Sequence, residues 1–428
     1  MKIKNFGELA TNPLRTSALK IVEAGLLSID TVEVLRENIS VFGDALTISN
    51  ETIILPEKSR IFVVGVGKCA TDAAFVLEEI LGDRIYKGMV IDIKCDPRLK
   101  RIKSAECDHP FPSERNVDAT KEMIDVLKEA KEDDVVIAVI SGGGSTMLCQ
   151  PKGFTCYDEK TVVDALFRAG ANIKELNTVR KHMSMARGGH LAGYAYPAKV
   201  VSLIFSDVVG NDLGFIASGP TVLDETSVED AKHIFDKYFL KDRVPITSDV
   251  LMETPKDWKY FENVKNILLV SNDIGLEAMY KSAKREGFVP TIVNKDMIGE
   301  AAIIGESIAI ELNKAPAHSA LLFGGETVVR IKGNGHGGRN QEMALSALRF
   351  IGESEIIVPF ASDGRDNTDV AGAICDTIIK SQATKKKVSI EKFLSNNDSY
   401  SFFEKVGGHL MTGVTGSNTA DFVVALKH

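Results

Sequence analysis

Lys68 and Arg339 each stand at the predicted start of a helix, where the helix dipole disfavours a cation unless an anion lies nearby. Lys68 ends the stretch V-V-G-V-G-K at 63–68, in which an apolar strand turns through Gly65 and Gly67 into a helix. That helix carries Ala70, Ala73, Ala74, Leu77, Ile80 and Leu81 at helical spacing, so backbone N–H groups at its start suit an anion. The stretch is not a Walker A loop, because G-x-x-x-x-G is missing and Cys69 replaces the Ser or Thr that holds magnesium. It fits the looser G-x-G-x-x-A of dinucleotide folds, with Asp92 ending a second strand about 25 residues on, and it fits a plain β-to-α turn equally well.

A second glycine loop, S-G-G-G-S-T at 141–146, follows the most apolar strand in the chain. Gly142, Gly143 and Gly144 let backbone wrap an oxyanion or phosphate, with Ser145 and Thr146 adding hydroxyls; the alternative is a flexible linker. In L-N-T-V-R-K-H-M-S-M-A-R-G-G-H-L-A at 176–192, Leu176, Val179, Met183 and Ala186 form a core stripe. Arg180, Lys181, His182, Arg187 and His190 then read as a basic solvated face, from which Arg180 reaches a carboxylate or phosphate. The densest pattern is F-G-G-E-T-V-V-R at 323–330 followed by G-N-G-H-G-G-R-N-Q-E at 333–342. It opens a helix with Met343, Ala344, Ala347, Leu348 and Ile351 as its buried stripe, and Arg339 at its start calls for an anionic ligand.

Three strands end in Ser and Asp or Asn: Ser206-Asp207, Ser271-Asn272-Asp273, and Ser362-Asp363, with Asp366 three residues further. Ligands of parallel sheets bind beyond the carboxyl ends of strands, where a carboxylate can hold magnesium or take a proton from a hydroxyl. The same residue types also cap the following helix.

The elements that must position these groups form an α/β protein of two domains, because strand-length apolar runs alternate with helix-period stretches. Runs at 61–64, 88–93, 135–140 and 199–205 predict an N-terminal Rossmann-like parallel sheet flanked by helices. Runs at 267–270, 291–294, 320–323, 355–360 and 421–426 predict a second α/β domain. The expected domains are 1–240 and 241–428, with the boundary in the polar stretch 224–265, and residues 1–50 read as helices of undecided packing. Lys plus Arg of 51 against Asp plus Glu of 59 leaves a net charge of −8, which speaks against nucleic acid or an anionic membrane as partner and for small molecules. No apolar run reaches the ~20 residues of a membrane span. The N-terminus lacks a secretory signal pattern and the six cysteines lack metal-ligand spacing, so free thiols in the cytoplasm and no structural zinc are expected.

Together S-G-G-G-S-T, L-N-T-V-R-K-H, S-D-V-V-G-N-D-L-G-F-I-A-S-G-P-T, G-H-G-G-R-N-Q-E, S-D-G-R-D-N-T-D and T-G-V-T-G-S-N-T-A-D resemble the glycerate 2-kinase family over nearly the whole chain. The resemblance implies a glycerate kinase domain followed by a MOFRL-like α/β domain. It implies Mg²⁺-dependent transfer of the γ-phosphoryl of ATP to D-glycerate, giving 2-phosphoglycerate, with the active site expected in the interdomain cleft. Carried over by motif, Lys68 and Arg339 are catalytic, and Asp363 joins them as base or metal ligand, with Asp207 as the second metal candidate. The candidate substrate- or nucleotide-binding residues are Gly65, Gly67, Gly142, Gly143, Gly144, Ser145, Arg180, Ser218, Gly219, Gly324, Gly325, Glu326, Gly338 and Asn340. A homodimer is the candidate assembly. The competing expectations are an NAD(P)-dependent hydroxypyruvate reductase and a non-enzymatic metabolite sensor.

Overall fold

The computed structural model describes residues 1–417 and 419–428, and the chain divides into two units, Val34–Leu269 and Met1–Glu33 with Val270–His428. Asn418 of the T-G-V-T-G-S-N-T-A-D motif lies outside the described residues.

The first unit opens with a small antiparallel sheet, β1 (Ile39–Phe42), β2 (Ala45–Ile48) and β3 (Glu51–Ile54), where the sequence was expected to be helical. Two-residue connections between short runs rich in β-branched residues favour hairpins over a helix. Its main sheet contains β4 (Ile61–Val66), β5 (Ile85–Asp92), β6 (Ile102–Glu106), β7 (Val135–Ser141), β8 (Lys199–Phe205) and β9 (Val264–Val270). The spatial order is β6-β5-β4-β7-β8-β9, and the first five pair in parallel. Numbered within the sheet this is 3-2-1-4-5-6, the order of Rossmann folds. Strands β4 and β7 are buried at every residue, which explains their unbroken apolar runs. The half-exposed β6 carries Lys103, Ser104 and Glu106 and gave no apolar signal.

The second unit is built on a mixed sheet of β10 (Val289–Met297), β11 (Ser319–Gly325), β12 (Glu355–Phe360), β13 (Gly372–Ala373), β14 (Cys375–Asp376), β15 (His409–Leu410) and β16 (Asp421–Lys427). Its order is β10-β11-β16-β12-β13-β15 with β14 also on β12; only β10 and β11 pair in parallel, and β16 runs antiparallel to both neighbours.

Two boundaries differ from those expected. The I-L-L-V run lies in β9 and completes the first sheet, so the units part near residue 270 and not near 240. Residues 1–33 fold with the C-terminal unit: Arg15 makes a buried two-pronged ion pair with Asp376 at 2.6 and 2.9 Å, Lys4 N donates to Met411 O at 2.7 Å, and Ser417 Oγ donates to Ile29 O at 2.6 Å. On the helix Pro13–Ser28, Gly25 brings the backbone so close that an added Cβ would lie 2.8 Å from Met279 Cγ. No short-range pattern encodes such contacts between segments hundreds of residues apart.

Candidate functional site

In the first unit, strand order reverses between β4 and β7, and both glycine loops lie at the carboxyl ends of these two strands. They brace each other: Lys68 N donates to Gly142 O at 3.0 Å, and Cys69 N to Ser141 Oγ at 3.4 Å. Gly67 is required here, since its φ is +113° and a Cβ would stand 2.2 Å from Ser141 Oγ. Gly65 is buried within β4, its would-be Cβ 3.0 Å from Val90, so it packs the sheet rather than lining a pocket. Gly143 has φ +82°, and Gly144 packs where a Cβ would meet Ala217 Cβ at 2.5 Å.

Ala217, Ser218 and Gly219 take φ of +50°, +60° and +59° in succession. Two non-glycine residues in that region store strain of the kind concentrated at functional sites. Ser218 Oγ bonds Ser145 Oγ at 2.9 Å, which ties this turn to the second glycine loop.

Lys68 is partly exposed, and among the described residues its ammonium makes no hydrogen bond or ion pair. The same holds for the Arg180 guanidinium on the helix Ile173–His182. Burial, and then the charge of Arg187, depress the Arg180 pKa, and the charges of Glu159 and Asp164 offset this only in part.

The other basic residues of that segment do not form a solvated face. Lys181 pairs with Asp224 at 3.1 Å, His182 lies 3.4 Å from Glu253 Oε1, Arg187 pairs with Glu159 at 2.7 Å, and His190 Nδ1 bonds Arg187 O at 2.7 Å. All four are buried, whereas Arg180 is partly exposed; His182 Nε2 is buried with an acidic neighbour but no hydrogen bond among the described residues. Asp92 is fully buried and accepts from Thr71 N at 2.9 Å and Ile93 N at 2.6 Å, so it is not offered to a ribose hydroxyl. Asp207 is exposed on the turn after β8.

The second unit gathers the remaining candidates around Arg339 at the start of the helix Arg339–Ala347. The guanidinium donates through Nε and Nη2 to Asp421 and through Nη1 to Glu326, so the anion that its position demanded is supplied from within the fold. Burial works against the charge of Arg339, but the hydrogen bonds and charge of Asp421, helped by Glu326, hold its pKa above the ordinary value. Asp421 moves the same way for the opposite reason: burial pushes its pKa up to about 6 despite Arg339, and Asp366 adds to the rise. Two guanidinium donors and Asn340 Nδ2 at 2.8 Å converge on its carboxylate, so the ionised form prevails at neutral pH.

Asp366, three residues beyond Asp363, is buried, with Asn340 N at 3.0 Å, Gln341 N at 2.7 Å, Asn340 Nδ2 at 3.2 Å and Gln341 Nε2 at 3.1 Å on its oxygens. It satisfies the first turn of the helix. Asn340 is likewise buried, its amide joining Asp366 to Asp421, and it positions rather than faces a ligand. At Gly338 a Cβ would fall 2.0 Å from Asp366 O. Gly333, Gly335 and Gly337 lie flush on residues 396–399 along an extended segment, with Gly335 N donating to Asn396 O at 2.8 Å and Tyr400 N to His336 O at 2.9 Å. The alternating glycines therefore allow close backbone packing on residues 396–399. Gly324 and Gly325 also pack closely, against Asn272 and Met297.

A cavity of about 550 Å³ is lined by this segment together with Arg339, Glu342, Asp363 and Arg365. Asp363 is partly exposed there; its Oδ1 accepts from Arg365 N at 2.8 Å, and Oδ2 makes no hydrogen bond among the described residues. Asp421 was missed among the candidates. Its signal is a carboxylate opening the otherwise apolar strand D-F-V-V-A-L, a residue type rarely buried without a partner.

Residues 17–252 match the family described as a domain of unknown function, DUF4147, and residues 319–421 match the MOFRL family. A glycerate 2-kinase of Pyrococcus horikoshii is 37% identical over 96% of this chain and 97% of its own, and a D-glycerate 2-kinase of Thermotoga maritima is 36% identical over 92% and 97%. A crystal structure of glycerate kinase from Thermotoga maritima superimposes with a TM-score of 0.86 at 33% identity, covering 96% of this chain and 99% of that one. A relative from Agrobacterium vitis, 37% identical over 86% of this chain and 87% of its own, is provisionally named a hydroxypyruvate reductase. With a Rossmann-ordered unit over most of the first match and a mixed-sheet unit spanning the second, the chain belongs to the glycerate 2-kinase family.

Proposed function

We propose that this chain transfers the γ-phosphoryl group of ATP, with Mg²⁺, to the 2-hydroxyl of D-glycerate. The observation that carries the reading is the pair of basic side chains, Lys68 and Arg180, which make no hydrogen bond or ion pair among the described residues and lie near the glycine loops of the strand-order reversal. Names of relatives aligned over nearly the full length support the choice of glycerate.

Phosphoryl transfer asks a protein for position and charge compensation more than for covalent chemistry. Lys68 neutralises charge on a phosphoryl or carboxylate oxygen, and Arg180 offers a planar fork to the same kind of group. Arg339, aimed by Asp421, stabilises charge on the equatorial oxygens of the transferring group. Asp363 either takes the proton of the attacking hydroxyl or holds the metal through its open Oδ2.

The described residues contain no cluster of three or more His, Cys, Asp or Glu fit to hold a metal ion. Mg²⁺ is usually held by one or two carboxylates together with substrate phosphates and water. When bound, Mg²⁺ supplies charge neutralisation across the phosphate oxygens. Asp363 is the residue that would hold it, with Asp207 as the second candidate.

Phosphorus NMR of a mixture of ATP, Mg²⁺ and D-glycerate tests the proposal, since the product's phosphorus resonance and its coupling to the sugar-acid proton report transfer and regiochemistry together. Product at the 3-hydroxyl, or no product, refutes it. The reductase reading predicts hydroxypyruvate-dependent loss of NADH absorbance, and the engagement of Asp92 with Thr71 and Ile93 argues against it.

A further inference from the structure

His109 lies in the loop between β6 and the helix Glu114–Leu127, and no sequence motif drew attention to it. Its ring rests on the second glycine loop: Cδ2 and Nε2 stand 3.3 and 3.4 Å from the point where a Cβ on Gly143 would lie. Both chain neighbours are tied down. Fully buried Asn116 accepts from Asp108 N at 3.1 Å and donates to Asp108 O at 3.0 Å and Thr146 O at 3.4 Å, while Thr146 Oγ1 donates to Pro110 O at 3.4 Å. The imidazole thus rests on the loop whose Gly142 O accepts from Lys68 N, close enough to feel the charges of Lys68 and Arg180, with one side covered and the other open to solvent.

We propose that His109 is a third ligand for the small oxyanion, carboxylate or phosphoryl, that Lys68 and Arg180 attract, and that it binds this anion more tightly when protonated. The proposal rests on the reading above that these two cations face a substrate anion. Burial first, and then the charges of Lys68 and Arg180, hold the His109 pKa below its ordinary 6.5. The charged groups of its own loop are already engaged: Asp108 accepts from Ser113 and pairs with Arg115 at 2.6 Å. The glycine loop contributes no titratable side chain. At neutral pH the ring is therefore uncharged, with an N–H to donate. An anion among the three groups cancels the repulsion and raises the pKa, and by linkage the anion binds tighter as pH falls toward the free-state pKa. Each unit of rise is a tenfold gain in affinity, so about tenfold is expected between pH 8 and pH 5.

Isothermal titration of the whole chain with D-glycerate, and separately with sulfate as a phosphoryl mimic that stays fully ionised over this range, reads the effect. Wild type should bind one or both about tenfold more tightly at pH 5 than at pH 8, and His109→Gln should lose that dependence. A response to D-glycerate alone assigns the site to the substrate carboxylate, and a response to sulfate alone assigns it to a phosphoryl group. Carbon-detected NMR of the wild-type imidazole serves as a second readout that needs no variant, and its pKa should rise on saturation with the responding anion. An unchanged titration of His109 under saturation, a His109→Gln chain as pH-dependent as wild type, or no binding of either anion overturns the proposal. The kinase reading stands or falls separately, on whether 2-phosphoglycerate is made.

Discussion

Replacing Asp421 by Asn should separate stability from activity. The Asp421 pKa rises from an ordinary 3.8 to about 6, so ionising it costs the fold about 3 kcal/mol even with Arg339 beside it. Because the folded-state value lies above the unfolded one, this penalty is absent below about pH 4 and complete above about pH 6. Asn escapes it. The amide, however, has one acceptor oxygen where the carboxylate has two, and it meets three N–H donors from Arg339 and Asn340. The mismatch costs about 1–3 kcal/mol, as for buried polar groups left unpaired. The two effects nearly cancel, and urea unfolding at pH 7.5 should place Asp421→Asn within about 2 kcal/mol of wild type. Activity should not survive as well. Arg339 loses the fork that fixes its plane and keeps only Glu326, and misplacement of a transition-state group by about 1 Å can cost on the order of 100-fold. A coupled assay of ADP release should show kcat reduced by about that factor. The acidic limb of the wild-type kcat profile near pH 6, where Asp421 takes up its proton, should be missing in the variant. Wild-type kcat in Asp421→Asn would refute the positioning role, and a loss of more than about 4 kcal/mol would refute the net cost assigned to the buried carboxylate.

Lys68→Ala should lower kcat/KM by at least about 100-fold with an unchanged unfolding midpoint, because among the described residues the ammonium has no hydrogen bond or ion pair to lose. Asp363→Asn distinguishes the two roles left open for this carboxylate: a metal ligand raises the Mg²⁺ concentration for half-maximal rate, whereas a base lowers kcat and leaves that concentration nearly fixed. Gly338→Ala places a Cβ 2.0 Å from Asp366 O, a backbone atom that cannot swing away, and should cost at least about 3 kcal/mol by urea unfolding. Gly153→Ala, also at positive φ but with nothing within 4 Å, should cost only about 1 kcal/mol and serves as its control.

The sequence by itself determined what depends on a few consecutive residues. Strands β4 and β7 were legible as apolar runs because both faces are buried, and the turns at Gly67 and Gly143 were legible because positive φ demands glycine whatever surrounds it. Lys68 and Arg339 were singled out by the same local physics, a cation at a helix start. Tertiary structure alone decided which charges already had partners. Lys181, His182 and Arg187 looked like a wet basic face until Asp224, Glu253 and Glu159 met them, and the anion required by Arg339 turned out to be Asp421, 82 residues away. The glycines at 333, 335 and 337 show the same limit: a missing side chain reports a close approach but not what approaches, and here it is residues 396–399 of the chain itself. Sequence patterns record each residue's conformational preference, whereas electrostatic satisfaction is a pairwise property of groups that only folding brings within a few ångströms.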